Sequence, residues 1–148
     1  MWVELLVAFL LIVGTFVIHG LGTFSLSRWI LPAVQSIHSL AFTAALWLML
    51  RFFLVLVALH LLESAVWAEF YFMQHCFPDR ETAYYFSLQS YTTLGYGDVA
   101  ISRPWRLMGT LEAMSGVLLF GWSTAMLISL LSRLREVRRE SSLADHPL

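Results

Sequence analysis

Apolar residues fall along this chain in long unbroken runs rather than in the one-sided stripes of water-soluble helices. The first run extends from Trp2 to about Ile18 and is interrupted only by Glu4. The second extends from about Ser39 to Phe72 and carries Arg51, His60, Glu63 and Glu69; the third extends from Trp105 to about Ser132. At 1.5 Å of rise per residue the second and third runs make helices about 51 and 42 Å long, against a bilayer core of about 30 Å. The second must overshoot the hydrocarbon, tilt or break, and the third crosses it with a tilt. Arg51 and Glu69 are separated by about 27 Å of helix and so fit opposite interfaces. The first run lacks a basic start and an A-x-A-like cleavage site, so it reads as a retained membrane segment rather than a signal peptide. Between the first two runs, Gly20 to Gln35 contains Gly, Ser, Arg28 and Pro32 and reads as a short linker, interfacial through Trp29, Ile30 and Leu31.

Composition sharpens this picture. Of 148 residues 59% are hydrophobic and only 13% charged, where a soluble domain carries about 25% charged. A net charge of −1 argues against a nucleic-acid footprint. All nine basic residues are arginines, and the absence of asparagine removes every N-glycosylation acceptor. One cysteine, Cys76, excludes an internal disulfide and a cysteine zinc cluster, and reads as an unpaired thiol in an outer loop. Arg133, Arg135, Arg138 and Arg139 form the one arginine cluster, which places that end in the cytoplasm. The loop from Met73 to Pro104 then lies outside, and so does the N-terminus if the first run spans.

The chemistry is concentrated in that loop. Pro78-Asp79 is a helix-start signal, with Asp79 as N-cap and Glu81 in the first turn. Arg80 to Tyr91 would make a helix of about 18 Å, too short to span but long enough to dip halfway into the membrane and return. Non-helical backbone at that depth survives only when buried in protein or lining a water-filled path. Thr92-Thr93-Leu94-Gly95-Tyr96-Gly97-Asp98 follows. Backbone carbonyls that all face one axis need alternating left- and right-handed dihedrals, and glycine adopts positive φ without cost.

This segment, in its order between two membrane runs, resembles the selectivity filter of the potassium channel pore family. The resemblance covers about Phe53 to Arg135. It implies an all-α integral membrane protein, with three transmembrane helices if the N-terminal run spans. Residues 1–38 form the N-terminal membrane segment and linker. Residues 39–135 form the pore domain: outer helix 39–72, pore loop 73–104 and inner helix 105–135. Residues 136–148 are a short cytoplasmic tail. Potassium ions would bind the carbonyls of Thr93, Leu94, Gly95, Tyr96 and Gly97, supplied by four copies of the chain in a homotetramer, with the Thr93 hydroxyl as the innermost ring. Thr92, Asp98, Gln89 and Tyr85 would support the filter, with Tyr96 wedged against Tyr84, Tyr85 and Phe86. Leu94 replaces the usual valine. Gln89 stands where a glutamate often pairs with the aspartate after the filter; it can hydrogen-bond Asp98 but not share a proton with it. Phe86 stands where a tryptophan donor is frequent.

In the third run, Gly116 and Gly121 are hinge candidates for gating; the alternative is that they permit close helix packing. His60, Glu63 and Glu112 are expected at one depth behind the pore helix. They form either a satisfied polar brace or a pH sensor, and His60-x-x-Glu63 alone is weak evidence of a metal pair. His19, His38 and His75 read as interfacial or loop histidines. No catalytic triad, phosphate loop or metal cluster is present, so neither an enzyme, nor a cofactor beyond potassium, nor a small-molecule substrate or nucleic-acid partner is expected. The partners are the lipid bilayer, potassium and further copies of the chain, in a plasma or bacterial inner membrane. A weakly selective cation channel, or a channel-like subunit that conducts little, is the alternative.

Overall fold

The structure, a computed structural model, describes residues 2–35 and 42–145, and His38 and Ser39 to Ala41 lie outside the described residues. The described residues form four helices: α1 (Trp2–Gln35), α2 (Phe42–Met73), α3 (Arg80–Tyr91) and α4 (Met108–Asp145). Three stretches are long and apolar enough to cross a membrane: Trp2–Ile30, Thr43–Met73 and Met108–Arg139. The fold is therefore an all-α membrane architecture.

Two apolar clusters hold the helices together. One joins Ala8 to Trp67, Tyr71, Phe77, Ala83, Phe86, Ile101 and Met108; the other joins Ile30, Val34, Phe52, Leu56, Leu130 and Leu134. Each of the three long helices contributes to both clusters, so α1 and α4 run in one direction and α2 in the other. α3 packs against α2 and α4, and α1 packs against the same two helices.

The inside of this bundle is more polar than its outside. Thr15, His19 and Thr23 are buried on α1, and Glu63 and Ser64 on α2, whereas Leu6, Phe9, Leu10, Leu61 and Leu62 are exposed. That inversion suits lipid, where association is driven by packing and by polar groups that find partners between helices. The hydroxyls of Thr15 and Thr23 are satisfied within α1 by donating to the Leu11 and His19 carbonyls at 3.0 and 2.7 Å.

Two boundaries differ from the sequence expectation. Residues 20–35, expected to be a linker, continue α1 without a break. The features that suggested a linker serve packing instead. A Cβ at Gly22 would collide with the Leu59 side chain, and one at Gly20 would touch Trp122. The Ser27 hydroxyl donates to the Phe24 carbonyl, and Pro32 stands in the last turn of α1. At the other end α4 begins at Met108 rather than Trp105 and continues to Asp145, so most of the expected tail is helical. Arg133 donates to Glu136 one turn on, an ion pair that supports this extension.

Candidate functional site: the membrane-depth loop and its polar brace

α3 has the bounds that the sequence signals required. Asp79 has extended dihedrals (φ −145°, ψ 165°), accepts a hydrogen bond from the Thr82 N–H at 2.8 Å and receives the Thr82 hydroxyl at 3.1 Å. Such an N-cap stabilises a helix by about 1 kcal/mol. The Arg80 guanidinium bridges to Glu69 on α2 at 3.1 Å and lies over the Phe72 ring at 4.3 Å, fixing where α3 starts. Phe86 packs on Tyr71 and Phe77 with ring centres 5.2 and 5.0 Å apart, so its side faces the outer helix rather than the loop beyond Tyr91.

At its far end α3 closes on Thr92, whose N–H bonds to the Leu88 carbonyl and whose hydroxyl donates to the same oxygen at 2.6 Å. The next N–H groups turn back onto α3: Thr93 donates to Ser90 at 3.0 Å and Leu94 to Gln89 at 2.9 Å. Thr93, Gly95 and Gly97 have φ of +60°, +51° and +78°. The left-handed conformation therefore recurs at every second residue, twice on a glycine and once on a threonine.

Two side chains of α3 hold the segment from the outer side. Gln89 Nε2 donates to Asp98 Oδ1 at 3.0 Å, and Gln89 Oε1 accepts the Tyr96 N–H at 2.9 Å. The Tyr85 hydroxyl donates to Asp98 Oδ2 at 2.8 Å. The hydrogen bond from Tyr85, followed by that from Gln89, holds the Asp98 carboxyl below the usual carboxylate range. The same bond to Asp98 raises Tyr85 above the ordinary phenol value. Tyr96 itself does not wedge against its own pore helix: its ring is 69% exposed in the single chain. All of residues 92–98 are exposed there as well. Cys76 is a free thiol, raised by burial, which keeps it protonated.

Behind α3 the expected cluster of His60, Glu63 and Glu112 is resolved into two. Glu112 is buried and accepts from the Tyr71 hydroxyl at 2.7 Å and the Ser87 hydroxyl at 2.5 Å, tying α4 to α2 and to the middle of α3. Glu63 belongs to a separate set. Its Oε2 accepts the Tyr91 hydroxyl and faces His60 Nδ1 at 3.1 Å, and its Oε1 lies 2.8 Å from His19 Nδ1. His19 is thus a fully buried partner of Glu63 rather than an interfacial residue. Of the two described histidines set aside in the sequence reading, His19 and His75, His75 is the exposed one, in the turn after α2. The signal for His19 was available: Thr15, His19 and Thr23 stand four residues apart, one polar stripe on an otherwise apolar helix. Tyr71, Ser87, Tyr91 and Ser123, the remaining brace residues, carry no comparable sequence signal.

The two glycines of α4 differ. A Cβ on Gly116 would run into the carbonyl oxygen of Tyr91, so this glycine lets α4 approach the last turn of α3. Around Gly121 the space is open.

No curated protein and no solved structure matches this chain significantly. A family model described as an ion channel matches residues 55–133. That range begins inside α2, ends inside α4 and brackets α3 with the loop that follows it. Covering more than half of the sequence, it establishes that this multi-pass membrane chain belongs to that ion-channel family.

Proposed function

We propose that the chain is one subunit of a homotetrameric potassium channel, with Thr93, Leu94, Gly95, Tyr96 and Gly97 as its selectivity filter. The observation that carries this reading is the left-handed backbone at Thr93, Gly95 and Gly97. Alternation at every second residue is what turns successive carbonyls toward one axis, and rings of such carbonyls can replace the hydration shell of potassium. The exposure of residues 92–98 in one chain supports the tetramer. Irregular backbone at membrane depth must be covered by protein or line water, and one loop cannot surround an ion by itself. Four copies around an axis do both.

The surroundings agree with that role. The C-terminal end of α3, which carries the negative end of its dipole, leads directly into Thr92 and so points at the proposed ion path. Asp98 adds a carboxylate at the outer end. The arginines at the end of α4 support a cytoplasmic C-terminus by the positive-inside rule, and with it the shared direction of α1 and α4 supports an N-terminus outside. Conduction is passive, along the ion gradient, and needs no catalytic group. The test is ion flux from liposomes containing the purified chain. Potassium uptake that barium blocks and sodium does not share is the expected result. Equal sodium and potassium flux would point to a weakly selective pore, and absent flux to a non-conducting subunit.

A further inference from the structure

The polar set around Glu63 is drawn from all four helices. His19 comes from α1, His60 and Glu63 from α2, Tyr91 from α3 and Ser123 from α4. Both rings turn Nδ1 toward the carboxylate, at 2.8 Å for His19 and 3.1 Å for His60. Both turn Nε2 toward one hydroxyl, that of Ser123, at 3.3 and 2.9 Å. The Tyr91 hydroxyl lies beside Glu63 Oε2 and 2.9 Å from His60 Nδ1. His19 and Glu63 are fully buried, and His60 is 12% exposed.

These six contacts lack protons. An ionised carboxylate only accepts, a neutral imidazole has one N–H, and each hydroxyl has one O–H. Two rings, Tyr91 and Ser123 thus supply four protons for the six contacts; even with the His60 Nδ1–H shared between Glu63 and Tyr91, one ring Nε2 is left facing the Ser123 oxygen lone pair to lone pair inside a buried site. A divalent cation removes that deficit. Both Nδ1 atoms, a Glu63 oxygen and the Tyr91 oxygen turn to the ion, and both Nε2–H groups donate to the two lone pairs of Ser123. An outer hydrogen bond of that kind is what orients metal-bound histidines.

We propose that His19, His60, Glu63 and Tyr91 form a binding site for a divalent transition metal, zinc being the ion that two imidazoles and two oxygens suit best. The ligand atoms of His19, His60 and Glu63 already lie within 4.8 Å of one another. Zinc bonds of 2.0–2.1 Å require tetrahedral ligand separations of about 3.3 Å, so the pairs at 2.8–3.1 Å must open by about 0.2–0.5 Å, and the Tyr91 and Glu63 oxygens, which lie closer still, by more. Glu63 would supply one negative charge to the ion, and the Tyr91 oxygen would complete the four ligands. Because Tyr91 immediately precedes Thr92, the site couples α1 to the base of the loop. The proposal does not depend on what the loop conducts.

Elemental analysis of the full chain, purified in detergent and dialysed against zinc-free buffer, tests it. About one zinc per chain is expected, falling at least about tenfold in His19→Gln and His60→Gln, with helix content by circular dichroism unchanged. A wild-type zinc content no higher than that of the variants overturns the site. A second measurement needs no variant: cobalt(II) added to the chelator-treated wild-type chain should give the intense visible bands of tetrahedral coordination. A weak octahedral spectrum overturns the proposal. So does a chain that takes up neither metal but whose thermal stability follows pH, which would make the proton the occupant.

Discussion

The side-chain oxygen of Gln89 accepts the backbone N–H of Tyr96 at 2.9 Å, while the nitrogen of the same amide donates to Asp98 at 3.0 Å. One side chain on α3 therefore fixes both the middle and the outer end of the returning loop. An amide is suited to this because it carries an acceptor and donors together. Gln89→Leu removes both bonds, each contributing about 1 kcal/mol, and should give potassium currents that decay faster than those of the parent chain. Gln89→Glu keeps the Tyr96 bond and loses the donor to Asp98, so it should fall between the two. A Gln89→Leu channel with parental current stability would show that the loop is held elsewhere.

The second prediction concerns pH. Asp98 is held below the ordinary carboxylate range, first by Tyr85 and then by Gln89. Its ionised, hydrogen-bonded form therefore supports the loop fully above the ordinary value of about 3.9. That support is lost as pH falls below it, through the lowered folded-state value. Tyr85→Phe deletes the larger of the two causes, so loss of conduction on acidification should begin at a higher pH in that variant. Superimposable acid titrations of current for the two proteins would contradict the assignment.

Glycine 95 tests the proposed filter. Its φ is +51°, where a Cβ costs on the order of 1–2 kcal/mol. Apart from its chain neighbours, nothing lies within 4 Å of where that Cβ would sit in the single chain, so the penalty is one of backbone conformation. Repeated in four subunits, Gly95→Ala should abolish the preference for potassium over sodium, measured as the reversal potential under bi-ionic conditions. A retained preference would place the filter outside this segment.

On α4 the two glycines should respond oppositely. Gly116→Ala drives a Cβ into the Tyr91 carbonyl, a backbone atom that cannot rotate away. Overpacking of this kind costs about 1–3 kcal/mol. Thermal stability in detergent should drop for Gly116→Ala and stay near parental for Gly121→Ala. If Gly116→Ala were as stable as the parent, a hinge at this position would become the better account.

Assembly is the fifth prediction. Native mass spectrometry of the detergent-purified chain should show four copies. A dimer or trimer as the conducting form would defeat the proposed filter, because each ring of ligands needs four carbonyls.

Much of this protein can be read without a structure. Membrane class follows from the apolar runs, because hydrocarbon imposes a minimum length and excludes charge. The bounds of α3 follow from local features: Asp79 caps its start, Glu81 stands in its first turn and Thr92 closes its end. Positive φ at Gly95 and Gly97 follows from the residue type. Contacts across the bundle do not follow in this way. A glycine and serine content that suggests a linker is equally suited to a helix that packs closely, and only Leu59 and Trp122 opposite Gly22 and Gly20 decide it for α1. The depth estimate placed Glu63 and Glu112 together, but rotation about each helix axis sends one to His19 and Tyr91 and the other to Tyr71 and Ser87. Rotation depends on side chains from other helices, which spacing along one helix does not encode. The tertiary structure alone therefore decided that His19, 44 residues before Glu63, is its partner.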